Sequence, residues 1–533
     1  LVRFFSLSFY FHSFDVTMRV MLRTIPFDEL VVHNKANDCW VAVRGKVYDV
    51  TSFLSEHPGG KSVLLKEGGK DASKKFSMFH EDSVIEEYGP ALQIGYLPGN
   101  EPVKSQSKSP PSVPAPFLPY AEPNWLSEFN SPYYTDSHRK WQKMVRQFVE
   151  KEIMPHVLEW EEAYRMSPEI YEKAGRAGML AGVAVHHWPE KYVGPSPVEN
   201  YDSFHTHILM DEVSRCGSGG VIWGFFTGLM IGLPPVMNFG TDYLKKTVVA
   251  DCLLGKKIIC LCISEPSAGS DVAALETTAR KEGDDYIVNG QKKWITNGTF
   301  ADYFTVAVRT GGPGQKGLSL LLLEKGMPGI NVRHMKCQGV LASGTTFITF
   351  DNVRVPSRNL IGQENNGFRM IMHNFNHERW GIVIMANRLA RVALEDAFRY
   401  SLKRKTFGQR LIDHQAIRFK ISNMAREVEA VHAWTEQITY QWNTMSTDVA
   451  MKRLGDKIAL LKAQSTRVLE FCAREALHVL GGAGYVRGGV GERIERIYRD
   501  AQAFSIPAGA EEIMLDYAGK TAAKNAVKLL SSL

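Results

Sequence analysis

Several groups of residues have types and spacing suited to redox chemistry. His57-Pro58-Gly59-Gly60 is followed 23 positions later by His80, with Phe76 and Phe79 just before it. Two imidazoles from opposite walls of an apolar crevice can fill both axial positions of an iron porphyrin, which leaves electron transfer as its task. Pro58 and the two glycines form a tight turn that aims His57. Far downstream stand Ser264-Glu265-Pro266-Ser267-Ala268-Gly269-Ser270-Asp271 and Trp294-Ile295-Thr296-Asn297-Gly298. A flavin needs polar donors at its ring, and backbone that can come close to it. Ser264 and Thr296 offer the hydroxyls, Trp294 a cover for one ring face, and Ala268-Gly269-Ser270 the close approach.

The elements that must hold these groups fall into six segments. Residues 1–25 are an N-terminal extension and 26–98 a small α+β unit, with short strands at Trp40–Val43 and Lys46–Val50 around a Gly45 turn. Residues 99–132 form a linker rich in Ser, Pro and Lys, which buries little and stays extended. Residues 133–254 are helical; Trp141, Val145, Phe148 and Val149 make one apolar stripe. Residues 255–365 turn to strands punctuated by glycine, as at Tyr286–Gly290 and Leu318–Leu323. Residues 366–533 return to long helices, among them Met385–Lys403 and Ile458–Leu480. The order helices, strands, helices predicts an α-helical bundle with a β domain inserted between its halves.

Composition narrows the classes. The 533 residues are 44% hydrophobic and 23% charged, an ordinary globular balance for about three or four domains. The net charge of +6 is spread along the chain and argues for neither nucleic acid nor a membrane surface. The apolar run at the N-terminus is shorter than a membrane span of roughly 20 residues. Seven scattered cysteines without a CxxC pair point to a reduced, intracellular compartment. Arg3, Arg19 and Arg23 suit a mitochondrial transit peptide, Ser531-Ser532-Leu533 is one residue from a peroxisomal address, and the cytoplasm stays open. The glycine-rich run Gly482–Gly489 follows no strand, so it is no dinucleotide fingerprint. His373 and His377 share a helix face, but Glu378 follows the second histidine rather than the first, unlike a zinc-protease HExxH motif.

Residues 27–98 as a whole resemble cytochrome b5. The matching pieces are Phe27–Val31, Cys39-Trp40-Val41, Val47-Tyr48-Asp49-Val50, His57-Pro58-Gly59-Gly60, Asp71-Ala72 and Ile94-Gly95. The resemblance implies haem b, with His57 and His80 as iron ligands. The family usually has Ser after the second ligand; here Glu81 follows.

Residues 133–525 resemble the acyl-CoA dehydrogenase family, which implies an α-helical bundle, a β-barrel and a four-helix bundle in that order. Besides the two flavin motifs, the matches are Arg404-Lys405-Thr406-Phe407-Gly408-Gln409 with His414-Gln415, Leu480-Gly481-Gly482-Ala483-Gly484-Tyr485, and Tyr498-Arg499-Asp500. The resemblance implies FAD contacts at Ser264, Ser270, Trp294 and Thr296. It also implies that Arg404, Phe407, Gln415, Gly481 and Gly482 meet FAD bound mainly to a neighbouring subunit, hence a homotetramer or homodimer. Acyl-CoA is the implied substrate, with Ser270, Asn376 and Arg379 as its contacts.

The implied reaction removes an α-proton while a hydride leaves the β-carbon. That needs a carboxylate in a site that excludes water. Most members of the family carry it in a Tyr-Glu-Gly-Thr segment; here the segment reads Ile506-Pro507-Ala508-Gly509-Ala510, and Ala508 cannot move a proton. Members acting on isovaleryl or long-chain substrates place the glutamate before an arginine on another helix. This chain has Asn376-His377-Glu378-Arg379 at that place, so Glu378 is the expected base, with Glu511 and Glu512 as rivals. Ala508 suits a longer or branched acyl chain, and Gly175, Gly178 and Gly182 are expected near the pocket floor. The resulting expectation is dehydrogenation of a fatty acyl-CoA to a trans-2-enoyl-CoA, with electrons passing to the fused haem or to a separate partner. An oxidase using oxygen and a non-catalytic acyl-CoA and haem carrier are the alternatives.

Overall fold

The computed structural model describes residues 22–80, 82–100, 118–127, 129–184 and 187–531. Most of the predicted extension (1–21), the linker stretch 101–117, Glu81 and the final Ser532-Leu533 lie outside them. The chain divides into two compact units, with the division after Val113 inside the predicted linker.

The first unit holds α1 (Phe27–Val32), β1 (Asp38–Val43), β2 (Lys46–Asp49), α2 (Lys61–Leu65), α3 (Ser73–Phe79), α4 (Asp82–Leu92) and β3 (Gln93–Tyr96). β1 and β2 form a hairpin closed by Arg44-Gly45, both at positive φ, which matches the twist of the paired strands. β3 adds antiparallel to β2. Alternation along β1 buries both sheet faces: Cys39, Val41 and Val43 join one apolar cluster and Ala42 the other.

The second unit opens with α5 (Asp136–Phe148), α6 (Ser203–Ser214) and α7 (Gly228–Gly232). Trp141, Val145 and Val149 are fully buried, as the stripe predicts. The middle strands are β4 (Ile259–Cys262), β5 (Thr278–Glu282), β6 (Asp285–Ile295), β7 (Tyr303–Arg309), β8 (Leu318–Glu324), β9 (Ile330–His334) and β10 (Thr346–Pro356). With Leu360–Ile361 at one edge they make one eight-stranded sheet in the order β9-β10-β6-β5-β7-β8, and β4 runs parallel to β7. The last helices are α8 (Gly367–Lys403), α9 (Gln415–Thr444), α10 (Gly455–Leu480), α11 (Glu492–Ser505) and α12 (Glu511–Leu530). α8 is the central one, packed against α6, α9, α10 and α11.

The early glycines do structural work rather than shape a pocket floor. A Cβ on Gly182 would stand 2.4 Å from the Tyr201 hydroxyl, and one on Gly175 would meet the Leu254 carbonyl. Both positions let chain segments touch.

α8 also carries charges into the core. The Arg388 guanidinium is 1% exposed; it donates to Glu122 at 3.0 Å and pairs with Asp211. Arg146 joins the same network, donating to Glu212 at 2.7 and 2.9 Å. Glu122 lies inside the predicted linker (99–132), so the later part of that segment is not a bare tether: Ala121, Glu122 and Trp125 are buried, and Glu122 is tied to α5 and α8. Buried charges hold only while paired. Arg388→Met strands Asp211 and Glu122, so it is expected to cost about 3–5 kcal/mol, seen as a lower melting temperature and denaturant midpoint.

Candidate functional site

In the first unit, His57 follows a 3-10 turn (Ser52–Ser55) and His80 ends α3. Their rings face each other at 5.9 Å between centres, inclined by 65°. Two rings sharing one ion at about 2 Å per nitrogen would have centres about 6 Å apart, so the pair fits an iron bound from both sides. Phe53 packs on His57 and Phe76 on His80. A Cβ on Gly59 would strike the His57 ring at 2.8 Å, which explains a glycine there. Burial, and then repulsion from His57, lowers the His80 pKa and favours the neutral ring that ligates metal.

In the second unit, the Ser264 loop and the end of β6 lie side by side: the Lys293 N–H donates to the Ser264 carbonyl at 2.9 Å. Beneath them is a buried ion pair absent from the sequence reading. Lys292 Nζ stands 2.7 Å from Glu265 Oε1, both almost fully buried. Glu265 also accepts the N–H groups of Glu276 (2.6 Å) and Thr277 (3.0 Å), which closes the loop carrying Ser270. Burial raises the Glu265 pKa, and Lys292 more than offsets it. Trp294 sits at a positive φ of 61° with its indole 51% exposed, while Thr296 is buried. Nothing lies within 4 Å of the place a Cβ would take on Gly269. A half-exposed indole, two hydroxyl residues and an open glycine are what a flavin ring needs on this side.

The other expected flavin contacts line the surface. Phe407 is 97% exposed on a turn between Lys405–Thr406 and Gln409–Arg410, and Arg404 caps the end of α8. Gln415 begins α9 and is exposed; Gly481, at φ 59°, ends α10 beside exposed Gly482.

Glu378 lies about a third of the way along α8, only 6% exposed. Its Oε1 accepts from Asn374 Nδ2 at 3.0 Å, one turn earlier. Burial pushes its pKa up to about 7, with Asn374 and Arg379 pulling the other way. Arg379 Nε donates to the Ala508 carbonyl at 2.9 Å, and its guanidinium lies over the Phe375 and Tyr517 rings. Lys462, fully buried on α10, donates to the carbonyls of Ser505 (2.5 Å) and Gly509 (2.8 Å). Two cations thus grip the segment where the family's usual carboxylate would sit. Burial and neighbouring Arg379 bring the Lys462 pKa down to about 7. Neither Lys462 nor Asn374 stands out in the sequence, since a lysine or asparagine on a helix usually faces water.

Other candidates are placed elsewhere. Glu511 pairs with Arg467, and Glu512 is exposed. The buried Asn376 amide donates to the Met451 carbonyl at 3.2 Å, two residues round the helix from the Glu378 face, so its side chain is engaged away from the carboxylate. The exposed Ser270 hydroxyl lies on the loop that Glu265 closes. His377 meets the Val183 carbonyl and His373 packs on Phe239, so these two bind no shared metal. His138, Asp202 and His205 do cluster within 4.8 Å. However, His138 Nδ1 accepts the Thr135 N–H and His205 Nδ1 the Asp202 N–H, capping α5 and α6. Two converging helix N-termini disfavour a cation there.

Four family models match the chain. They are the cytochrome b5-like heme/steroid binding domain over residues 26–98 and the N-terminal, middle and C-terminal domains of acyl-CoA dehydrogenase over 135–256, 260–353 and 365–523. The acyl-CoA dehydrogenase apdG of Emericella nidulans is 42% identical over 410 residues, covering 75% of this chain and 94% of that one. A probable acyl-CoA dehydrogenase from Mycobacterium abscessus superposes with a TM-score of 0.68 at 36% identity, over 73% of this chain and 99% of the other. The Bacillus anthracis acyl-CoA dehydrogenase, solved with FAD, gives a TM-score of 0.69 at 25% identity, over 75% of this chain and 69% of that one. The chain belongs to the acyl-CoA dehydrogenase family and carries a cytochrome b5-like domain at its N-terminal side.

Proposed function

We propose that the second unit catalyses α,β-dehydrogenation of a fatty acyl-CoA, of longer or branched chain, to a trans-2-enoyl-CoA, with Glu378 as the base. The observation that carries this reading is a buried carboxylate with its pKa near 7, in a chain whose usual base position is Ala508. A base poised near working pH both holds the unprotonated form and accepts a proton readily. Asn374 orients the carboxylate, and Arg379 supplies the cation for the CoA nucleotide. FAD, when bound, accepts the hydride from the β-carbon. Ser264, Ser270, Trp294 and Thr296 would hold it on one side. Arg404, Phe407, Gln415, Gly481 and Gly482 would meet the FAD of a neighbouring copy. The 97% exposure of Phe407 supports that arrangement and, with it, a homo-oligomer.

In the first unit, His57 and His80 would bind haem b, which carries single electrons. Covalent linkage to the flavin unit supports reading this module as an electron outlet.

Glu378→Gln is expected to abolish flavin bleaching by acyl-CoA without oxygen; full bleaching in that variant removes Glu378 from the role. In the parent, kcat/KM should fall about tenfold per pH unit below pH 7, since the base must be unprotonated. Stability shifts the opposite way. The folded pKa lies above the unfolded one, so the carboxylate costs stability progressively from its ordinary value of 4.5 up to about 7. Above pH 7 the glutamine variant should therefore melt higher, by an amount on the order of 3 kcal/mol. His57→Ala or His80→Ala should each remove the bis-imidazole haem spectrum while leaving flavin bleaching in place.

A further inference from the structure

The face of the helix opposite Glu378 carries two polar groups with nothing to bind. Trp223–Thr227 forms one wide π-helical turn that runs into α7. Such turns recur at functional sites. Asn297, next to Thr296, fixes the turn by donating to the carbonyls of Trp223 and Gly224, each at 3.3 Å. Further along, Gly228 and Gly232 lie on β4: added Cβ atoms would meet the Ile259 carbonyl at 2.7 Å and the Cys260 backbone at 2.8 Å. The helix is thus seated at backbone contact with the strand and turns its other side toward α8.

Met230 on that side meets α8 at the turns that flank Glu378. Its carbonyl accepts from Asn374 at 3.4 Å, and its sulfur would stand 2.9 Å from a Cβ on Gly381. Asn374 and Gly381 lie one turn before and one turn after Glu378. A thioether is flexible enough to move aside for a ligand. At the other end, the Trp223 ring packs edge-on to Phe504, four residues before Ala508, at 5.5 Å. Trp223, Thr227 and Met230 therefore form a stripe from the Ala508 segment to the proposed base. Trp223 is 8% exposed and Thr227 7%, and neither Trp223 Nε1 nor Thr227 Oγ1 has a hydrogen-bond partner among the described residues. Buried polar groups of this kind cost stability unless something pairs them.

We propose that this stripe walls the acyl subsite and selects an acyl chain that bears an oxygen, rather than plain hydrocarbon. The inference rests on Glu378 being the base. An indole N–H can only donate, so its partner must be an acceptor. The threonine hydroxyl can donate as well. A carbonyl oxygen on the chain can accept from either group. A hydrocarbon chain would leave both groups unpaired.

The test is calorimetric binding to the FAD-loaded Glu378→Gln protein. The probes are octanoyl-CoA and octanoyl-CoA carrying one ketone, walked from the fourth carbon to the chain end. At least one ketone position should bind about tenfold tighter than the hydrocarbon or better, the effect of pairing a buried orphan group. Adding Thr227→Val or Trp223→Phe, which remove the polar atom at similar volume, should pull that ratio toward one. If no ketone position gains over octanoyl-CoA, or if the gain survives both added substitutions, the proposal fails. Should the tryptophan variant not fold, the threonine variant and the parent ratio still decide. Persistent flavin bleaching by these ligands would instead overturn the base assignment, and the binding ratios would read independently of it.

Discussion

The proposed dehydrogenation depends on keeping one carboxylate dry. Glu378 sits about a third of the way along a 37-residue helix buried for most of its length, with a single amide, Asn374, bonded to it. Water would return its pKa to the ordinary carboxylate range and weaken it as a base. The packing around it serves that exclusion. α7 is pressed onto β4 through glycines, and Met230 and Met210 pack against α8 at Gly381, one turn beyond the carboxylate. Desolvation that raises the pKa also destabilises the fold once the group ionises. The reactive site is thus a local loss of stability that the rest of the helix must offset.

The same helix shows how that is done. Two and a half turns beyond Glu378, Arg388 enters the core, but there carboxylates from two other elements meet it. Arg391 follows, bonded to the Tyr120 carbonyl and Glu429. One end of α8 leaves a charge poorly compensated, and the other compensates its charges heavily. The first arrangement makes a group reactive; the second makes a unique packing, because a misplaced helix would strand several charges at once.

The parts legible in the sequence were those with local signals. The Arg44-Gly45 hairpin, the Trp141–Val149 stripe and the haem histidines with their flanking aromatics all rest on near neighbours in the chain. Ala508 and the Glu378-Arg379 pair are also visible in the sequence; what the structure adds is that Glu378 is buried. What stayed hidden depends on distant contacts. Lys292 and Lys462 look like solvated lysines, yet both are buried against groups 27 to 47 residues away. Asn376 carries the right chemistry for a ligand, but helix rotation sends its amide to Met451 while Asn374 faces the carboxylate. Gly175 and Gly182 lie where chain segments touch, against Leu254 and Tyr201, which no local pattern announces. Residue type predicted the kind of contact; only the tertiary structure chose its partner.

The relocation of the base has an electrostatic logic. The carbonyls of residues 505, 508 and 509 are gripped by Lys462 and Arg379. A carboxylate added to that segment would stand near Arg379, and its pKa would fall unless desolvation were stronger still. At 378 the balance differs. Arg379 is the neighbour in sequence, but it turns its Nε to Ala508 and lies over two aromatic rings. Burial is then the dominant influence on Glu378, and the group settles near neutral pH. With an alanine methyl at 508, Lys462 and Arg379 meet only backbone carbonyls in that segment. They hold it in place without pairing with the carboxylate of the proposed base.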